Sequence, residues 1–224
     1  SLRADSDYEG KFDFGSVAPG EYRIFDNSTP KGWTMPEDLH AEAGTTDIRI
    51  VLQESAIMSG TIRHPDPEGS LDGWIWFLTD KNSTKPGRGS GAGLGKEATA
   101  SYHMNALRPG SYTVFIVTND GKFYGLLQGV LLGAGERRTE PEIVLRRAAQ
   151  LEFVNQDTEN AVDFRVSIDG SPLSRNRLAP GKTQVVAVPP GELSVRMATF
   201  PSGTSKTIGI TAVADEVSRV IHEP

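Results

Sequence analysis

The sequence predicts an all-β protein built from small β-sandwich domains in tandem. Two observations carry this prediction: apolar and polar residues alternate in short runs, and one of these runs recurs at domain-sized intervals. The 24 glycines and 14 prolines among 224 residues are typical of a chain with many turns, and 37% hydrophobic residues are enough for packed cores.

The alternating runs are rich in β-branched and aromatic residues, and Gly, Pro, Asn or Asp bound them. Strands are expected around Phe12 and Phe14, around Tyr22 and Ile24, and over 48–52, 112–117 and 164–168. Helical spacing is nearly absent. Only residues 37–43, which follow Met35-Pro36 and end at Gly44, could form about two helical turns.

The recurring run consists of a strand, a Pro-Gly corner and a second strand. Residues 12–24 align without gaps to residues 102–114, and residues 183–195 form a weaker third copy. The corners are Pro19-Gly20, Pro109-Gly110 and Pro190-Gly191. Proline presets φ for the first central position of a turn, and glycine accepts the positive φ that a type II turn requires next.

The repeat also predicts domain boundaries. Each copy runs on to a final strand, over 47–52, 142–145 and 217–221, and new copies open at 56–62 and 150–154. We therefore expect domains over 1–54, 55–147 and 148–224, joined by short linkers near Glu54 and Ala148. The first copy lacks opening strands, so either the sequence begins inside a domain or this module completes itself in another way. We favour the first alternative, which also accounts for the missing signal peptide.

Residues 10–22, Gly-Lys-Phe-Asp-Phe-Gly-Ser-Val-Ala-Pro-Gly-Glu-Tyr, resemble the signature of carboxypeptidase regulatory-like domains. Residues 59–62 and 71–78 resemble the first two strands of the same family. The resemblance covers roughly residues 5–147 and is looser over 148–224. It implies transthyretin-like (prealbumin-like) or more generally immunoglobulin-like β-sandwiches of about seven strands. It also implies accessory modules of peptidases, outer-membrane receptors or bacterial surface proteins, without catalytic residues of their own.

Composition excludes several classes of function. The net charge of −6 argues against nucleic acid or an anionic membrane as partner. With no cysteine, the chain has no disulfide, thiolate metal site or cysteine nucleophile. No apolar run approaches the about 20 residues that span a bilayer. We expect no cofactor and no metal.

The candidate catalytic motifs are incomplete. In the glycine-rich run 87–96, Glu97 follows Lys96 where a phosphate-binding loop needs Ser or Thr, so a flexible loop between strands is expected. Gly89-Ser90-Gly91 has no helix after it to form a nucleophile elbow. The four histidines lack metal-ligand spacing, and His103 is expected to face solvent. Acidic runs 5–10 and 64–69 fit solvated turns better than calcium loops.

The aromatic residues carry the remaining hint of a ligand site. Trp74, Trp76 and Leu78 share one face of a predicted strand, and Ile75 and Phe77 share the other. One face must belong to the sandwich core. The other either packs on a neighbouring domain or offers an indole surface to a sugar or protein partner. Trp33 and Tyr124 lie in corresponding stretches after the Pro-Gly corner of the first and second copies, and they are the other two candidate binding residues.

These observations favour non-catalytic, extracytoplasmic β-sandwich modules that serve as a spacer or interaction part of a larger secreted or surface protein. One alternative is a carbohydrate- or peptide-binding module that uses the exposed aromatics. The other is an accessory region of a peptidase whose catalytic domain lies outside this chain. A monomer is expected, with protein or carbohydrate as partner and a location that is extracellular, at the cell surface or periplasmic.

Overall fold

The computed structural model of the chain describes residues 3–25, 29–35, 39–79, 90–200 and 203–223. These residues form strands and no helix, which confirms the all-β prediction. Within this part of the chain, no helix could therefore cross a membrane. The strands are β1 (Glu21–Ile24), β2 (Trp33–Thr34), β3 (Leu39–Glu42), β4 (Gln53–Glu54), β5 (Ala56–Arg63), β6 (Gly73–Thr79), β7 (Ser90–Leu94), β8 (Thr99–Leu107), β9 (Gly110–Thr118), β10 (Phe123–Leu132), β11 (Arg137–Thr139), β12 (Ile143–Val144), β13 (Arg146–Arg147), β14 (Ala149–Asn155), β15 (Ala161–Ile168), β16 (Ser171–Leu178), β17 (Thr183–Val188), β18 (Gly191–Phe200), β19 (Ser205–Ala212) and β20 (Val217–His222).

The central part of the chain is a β-sandwich. A five-stranded sheet in the order β13-β10-β9-β6-β7 lies against a sheet in which β5 pairs with β8, β11 and β12. Alternate residues of both sheets meet in one core, which includes Met58 and Ile62 of β5, Phe77 of β6 and Ile116 of β9. Alternate residues of each strand therefore face this core, as the sequence pattern predicts, and the other face of β9 is also largely buried.

The C-terminal part forms a second β-sandwich, from the sheet β17-β14-β20 and the sheet β16-β15-β18-β19. Phe153 of β14 and Phe164 of β15 meet in its core with ring centroids 4.5 Å apart. Both sandwiches share one arrangement, in which the opening strand pairs in parallel with the closing strand: β5 with β12, and β14 with β20.

The N-terminal segment has little burial. Its described residues form only the short pairs β1 with β3 and β2 with β4, and none of them before Ala56 belongs to either core. The strands expected around Phe12 and Phe14 and over 48–52 are wrong. The side chains of these residues alternate in exposure, yet no neighbouring strand pairs with them. Alternation alone is therefore not enough to form a hydrogen-bonded strand pair.

The two helical turns expected over 37–43 are also wrong in their described part. Residues 39–42 form β3, which pairs with β1 and sets Leu39 opposite Ile24 and Ala41 opposite Tyr22. Strand pairing thus overrides a weak helical preference. Residues 37 and 38 lie outside the described residues.

All three Pro-Gly corners carry a glycine with positive φ, at +149° for Gly20, +155° for Gly110 and +126° for Gly191. The need for glycine is therefore confirmed, because other residues rarely adopt these values. The angles lie well beyond the about +80° of a type II turn, so the predicted turn type is wrong. Each corner leads directly into a strand: β1, β9 or β18.

Candidate functional site

Trp74 and Trp76 lie on the outer face of β6, and Ile75 and Phe77 point into the first core, as predicted. The two indoles stack, with ring centroids 5.6 Å apart and planes 19° from parallel. Trp74 is 45% exposed and Trp76 is half-buried. The pair is therefore an accessible aromatic surface at one border of the sheet.

Glycines of β7 make room for this pair. Gly91 lies opposite Trp76 and Gly93 lies opposite Trp74. A Cβ at Gly91 would lie 2.6 Å from Cε3 of Trp76, so the indole occupies the space of the missing side chain. Residues 90–94 are thus a strand, which corrects the flexible loop expected there; residues 87–89 lie outside the described residues.

The four aromatic candidates do not form one site. Trp33 is 46% exposed on β2 of the N-terminal segment, where it pairs with Glu54. Tyr124 lies on β10 and packs against the second core. Only Trp74 and Trp76 are brought together.

A cleft that the sequence did not indicate lies at the end of the first sandwich. It encloses about 590 Å³ between the turn 64–70, residues 120–123 and residues 145–147. Its wall includes the buried His64 ring, which meets Phe123 edge-on with centroids 4.2 Å apart. Gly69 packs directly on the ring, because a Cβ there would lie 1.8 Å from Nδ1 of His64. This close approach is why the turn needs glycine.

Charged side chains line the same cleft. Burial by itself raises the pKa of Asp120, but hydrogen bonds from the Thr118 hydroxyl and the Lys122 amide outweigh it and hold that pKa below its usual range. Asp120 is therefore a carboxylate at neutral pH. Arg146, Arg147 and Lys122 supply the positive charges.

Among the described residues, no group of three or more His, Asp or Glu side chains is placed to hold a metal ion. His103 is exposed between the buried Tyr102 and Met104, as predicted. In the acidic run 5–10, the Asp7 carboxylate accepts hydrogen bonds from the amides of Glu9 and Lys11. The Asp7 carboxylate therefore stabilises the turn in which it lies.

Comparisons with known proteins give no family. No protein-family model and no curated protein matches the chain. Among solved structures, the Bacillus anthracis TIE protein is 12% identical with a TM-score of 0.32, over 97% of this chain and 44% of that protein. The chain thus spans less than half of the TIE protein.

Two further solved structures are similar at the same low level. A DUF3823 family protein from Parabacteroides merdae is 14% identical with a TM-score of 0.28, over 71% of this chain and 98% of that one. BcpA, the major pilin subunit of Bacillus cereus, is 10% identical with a TM-score of 0.25, over 92% and 85%. The resemblance of residues 5–147 to carboxypeptidase regulatory-like domains therefore stays a prediction.

Proposed function

We propose that this chain is a non-catalytic, extracytoplasmic spacer in which two β-sandwich modules, 55–147 and 148–224, are held as one rigid unit. Residues 1–54 would be the C-terminal part of a further module. The observation that carries the proposal is the covering of the outer face of the five-stranded sheet. Phe115 of β9 is only 4% exposed and belongs to the core of the second sandwich.

The apolar contact extends along that face. Leu78 of β6, Val117 of β9, and Tyr124 and Leu126 of β10 all pack against the second core. An outer sheet face would otherwise be in water, so its apolar side chains favour the joined arrangement through the hydrophobic effect. Interfaces that are apolar and continuous with a core restrict the motion of domains.

Ala148, at the junction of the two modules, is hydrogen-bonded to both sandwiches. Ala148 is buried, and its amide donates to the carbonyl oxygen of Lys122 at 2.8 Å in the first sandwich. Its carbonyl oxygen accepts from the amide of Asp215 at 2.9 Å in the second. A residue fixed at both ends is a poor hinge, since bending there would break one of these hydrogen bonds.

Small-angle X-ray scattering tests whether the two modules are held together as one rigid unit. The radius of gyration of the wild type should be independent of salt, because an apolar contact holds the modules. Phe115→Asp places a charge in that contact and should increase the radius, while dispersed NMR signals from both cores show that each sandwich stays folded. An unchanged radius in this folded variant would contradict the proposal.

Absence of catalysis is tested separately. Purified protein incubated with peptide and ester substrates should show no turnover above buffer. Turnover that a single side-chain substitution abolishes would overturn the non-catalytic assignment.

The stacked indoles favour a second candidate function, the binding of a neutral oligosaccharide at Trp74 and Trp76. Sugar rings pack on exposed aromatic faces, and Trp74 offers one beside the glycines of β7. Titration of tryptophan fluorescence with a panel of oligosaccharides should give a response that Trp74→Ala removes. Trp33→Ala is the matched control, because Trp33 has almost the same exposure but stands apart from the pair. A blank panel, or equal loss in both variants, would exclude this candidate.

A further inference from the structure

The ring of His64 forms part of the wall of the cleft between the turn 64–70 and residues 145–147. His64 is only 5% exposed, and its Nδ1 lies 3.1 Å from the amide nitrogen of Asp66 and 3.0 Å from that residue's carbonyl oxygen. When Nδ1 accepts from the amide, the ring proton is on Nε2. In the part of the chain that the structure describes, Nε2 has no hydrogen-bond partner, and it is not cut off from solvent. It can therefore donate to a ligand that enters the cleft.

The cations around His64 are weakly held. Nζ of Lys122 lies 3.7 Å from Asp120, and a guanidinium nitrogen of Arg147 lies 3.7 Å from Asp215, both at exposed positions. Arg146 is exposed and makes no ion pair or hydrogen bond with any described side chain. Exposed ion pairs at such distances contribute little. The guanidinium of Arg147 also lies over the Phe123 ring, 4.6 Å from its centroid, and this contact leaves the in-plane N–H groups of Arg147 to a ligand.

One oxygen of each aspartate in the cleft already accepts hydrogen bonds from its own turn. Oδ1 of Asp120 accepts from the Thr118 hydroxyl at 2.6 Å and from the Lys122 amide at 3.0 Å. Oδ1 of Asp66 accepts from the Glu68 amide at 3.0 Å. The cleft therefore presents three cations and one imidazole N–H beside two carboxylates, which is an excess of one positive charge.

We propose that this cleft binds the carboxylate group of a small ligand. Arginine matches a carboxylate with two parallel N–H donors, and Phe123 and Leu145 form the apolar part of the cleft wall. A cavity of about 590 Å³ has the size of an ordinary small-molecule site. The site is independent of the proposed spacer function and separate from the indole pair.

Titrations followed by ¹⁵N-resolved NMR test the site with two acids, D-glucuronate and N-acetylglycine. Their neutral matches are D-glucose and N-acetylglycinamide. At least one acid should shift the amides of Gly69, Lys122 and Arg147, and the neutral partners should not. The acid that binds shows whether the carboxylate comes from a sugar or from a peptide end. Binding should weaken as NaCl is added, because salt screens charge pairs.

Arg146→Ala is the variant of choice, because its exposed side chain can be removed without disturbing a core. It should weaken binding of the acid about 5- to 10-fold, the effect of one lost charge-assisted contact. Arg137→Ala removes an equally exposed arginine opposite Ile57, at the other end of β5, and should bind like the wild type. Trp74→Ala should also bind like the wild type. Absent shifts, equal shifts with the neutral partners, or an unaffected Arg146→Ala would each overturn the proposal.

Discussion

Phe115 and Trp76 are direct register partners on β9 and β6, on the same outer face of one sheet, yet their surroundings differ. Phe115 is buried in the core of the second sandwich, whereas Trp76 is half-buried at the border beside Gly91. The edge of the contact between the sandwiches therefore runs between these two side chains. It divides the face into a structural part and an accessible part.

Phe115→Ala should destabilise the protein by about 2–4 kcal/mol, because it removes a large buried ring from the contact between sandwiches. Urea unfolding measures the change. Leu131→Ala on β10 is the control, since Leu131 is 67% exposed, and it should cost less than about 0.5 kcal/mol. Equal effects of the two substitutions would show that Phe115 is not buried as described.

Tyr112→Phe should lower the free energy of unfolding by about 0.5–1.5 kcal/mol, because it removes one hydrogen bond and keeps the ring. The Tyr112 hydroxyl donates to the carbonyl oxygen of Arg108 at 2.8 Å, across the Pro-Gly corner. Tyr22 makes the same bond to Ala18, also at 2.8 Å. Tyr22→Phe should leave the unfolding of both cores unchanged, since its segment contributes to neither. A Tyr112→Phe variant as stable as the wild type would contradict this role.

The repeated tyrosine bond shows what the sequence could predict and why. The gapless alignment of residues 12–24 with 102–114 implies the same local geometry, and both corners form the same hydrogen bond. The third copy has Leu193 at this position, and its side chain is buried in the second core instead. Pairing was not predictable in the N-terminal segment, because alternation around Phe12 does not specify which strand lies beside it.

Asp163 should make the protein sensitive to acid. Hydrogen bonds from Arg177 and then Arg175 lower its pKa from 3.8 to about 2. Because the folded pKa is depressed, the stabilisation is complete above the unfolded pKa and is lost as pH falls from 3.8 through 2. Asp163→Asn should cost about 1 kcal/mol at pH 7, since Arg177 is half exposed, and almost nothing near pH 2. Urea midpoints of both proteins across pH measure the difference; a gap that does not depend on pH would contradict it.

Gly60→Ala should destabilise the first sandwich by about 1–3 kcal/mol through overpacking. A Cβ at Gly60 would lie 2.7 Å from the Tyr102 hydroxyl and 2.9 Å from the ring, which crosses this strand position. Gly209→Ala on β19 is the matched control, because open space surrounds that position. It should be neutral or slightly stabilising, since alanine loses less backbone entropy than glycine. Thermal unfolding of both variants measures this contrast, and an unaffected Gly60→Ala would contradict the close contact.

The sequence predicts the two candidate sites to different extents. Alternation places Trp74 and Trp76 on one face, but only the fold shows that Phe115 beside them is covered. The cleft at His64 combines a turn, a strand end and the junction near Arg147, three segments far apart in the chain. Within the turn, only Gly69 hinted at the cleft. No sequence pattern predicts that this glycine packs against the ring of His64.

Residual dipolar couplings measured on the wild-type protein in a weakly aligning medium test the rigid union of the two sandwiches most directly. One alignment tensor should fit the amide couplings of residues 55–147 and 148–223 together. Two tensors of different magnitude or orientation would show that the sandwiches move independently and would contradict the rigid union.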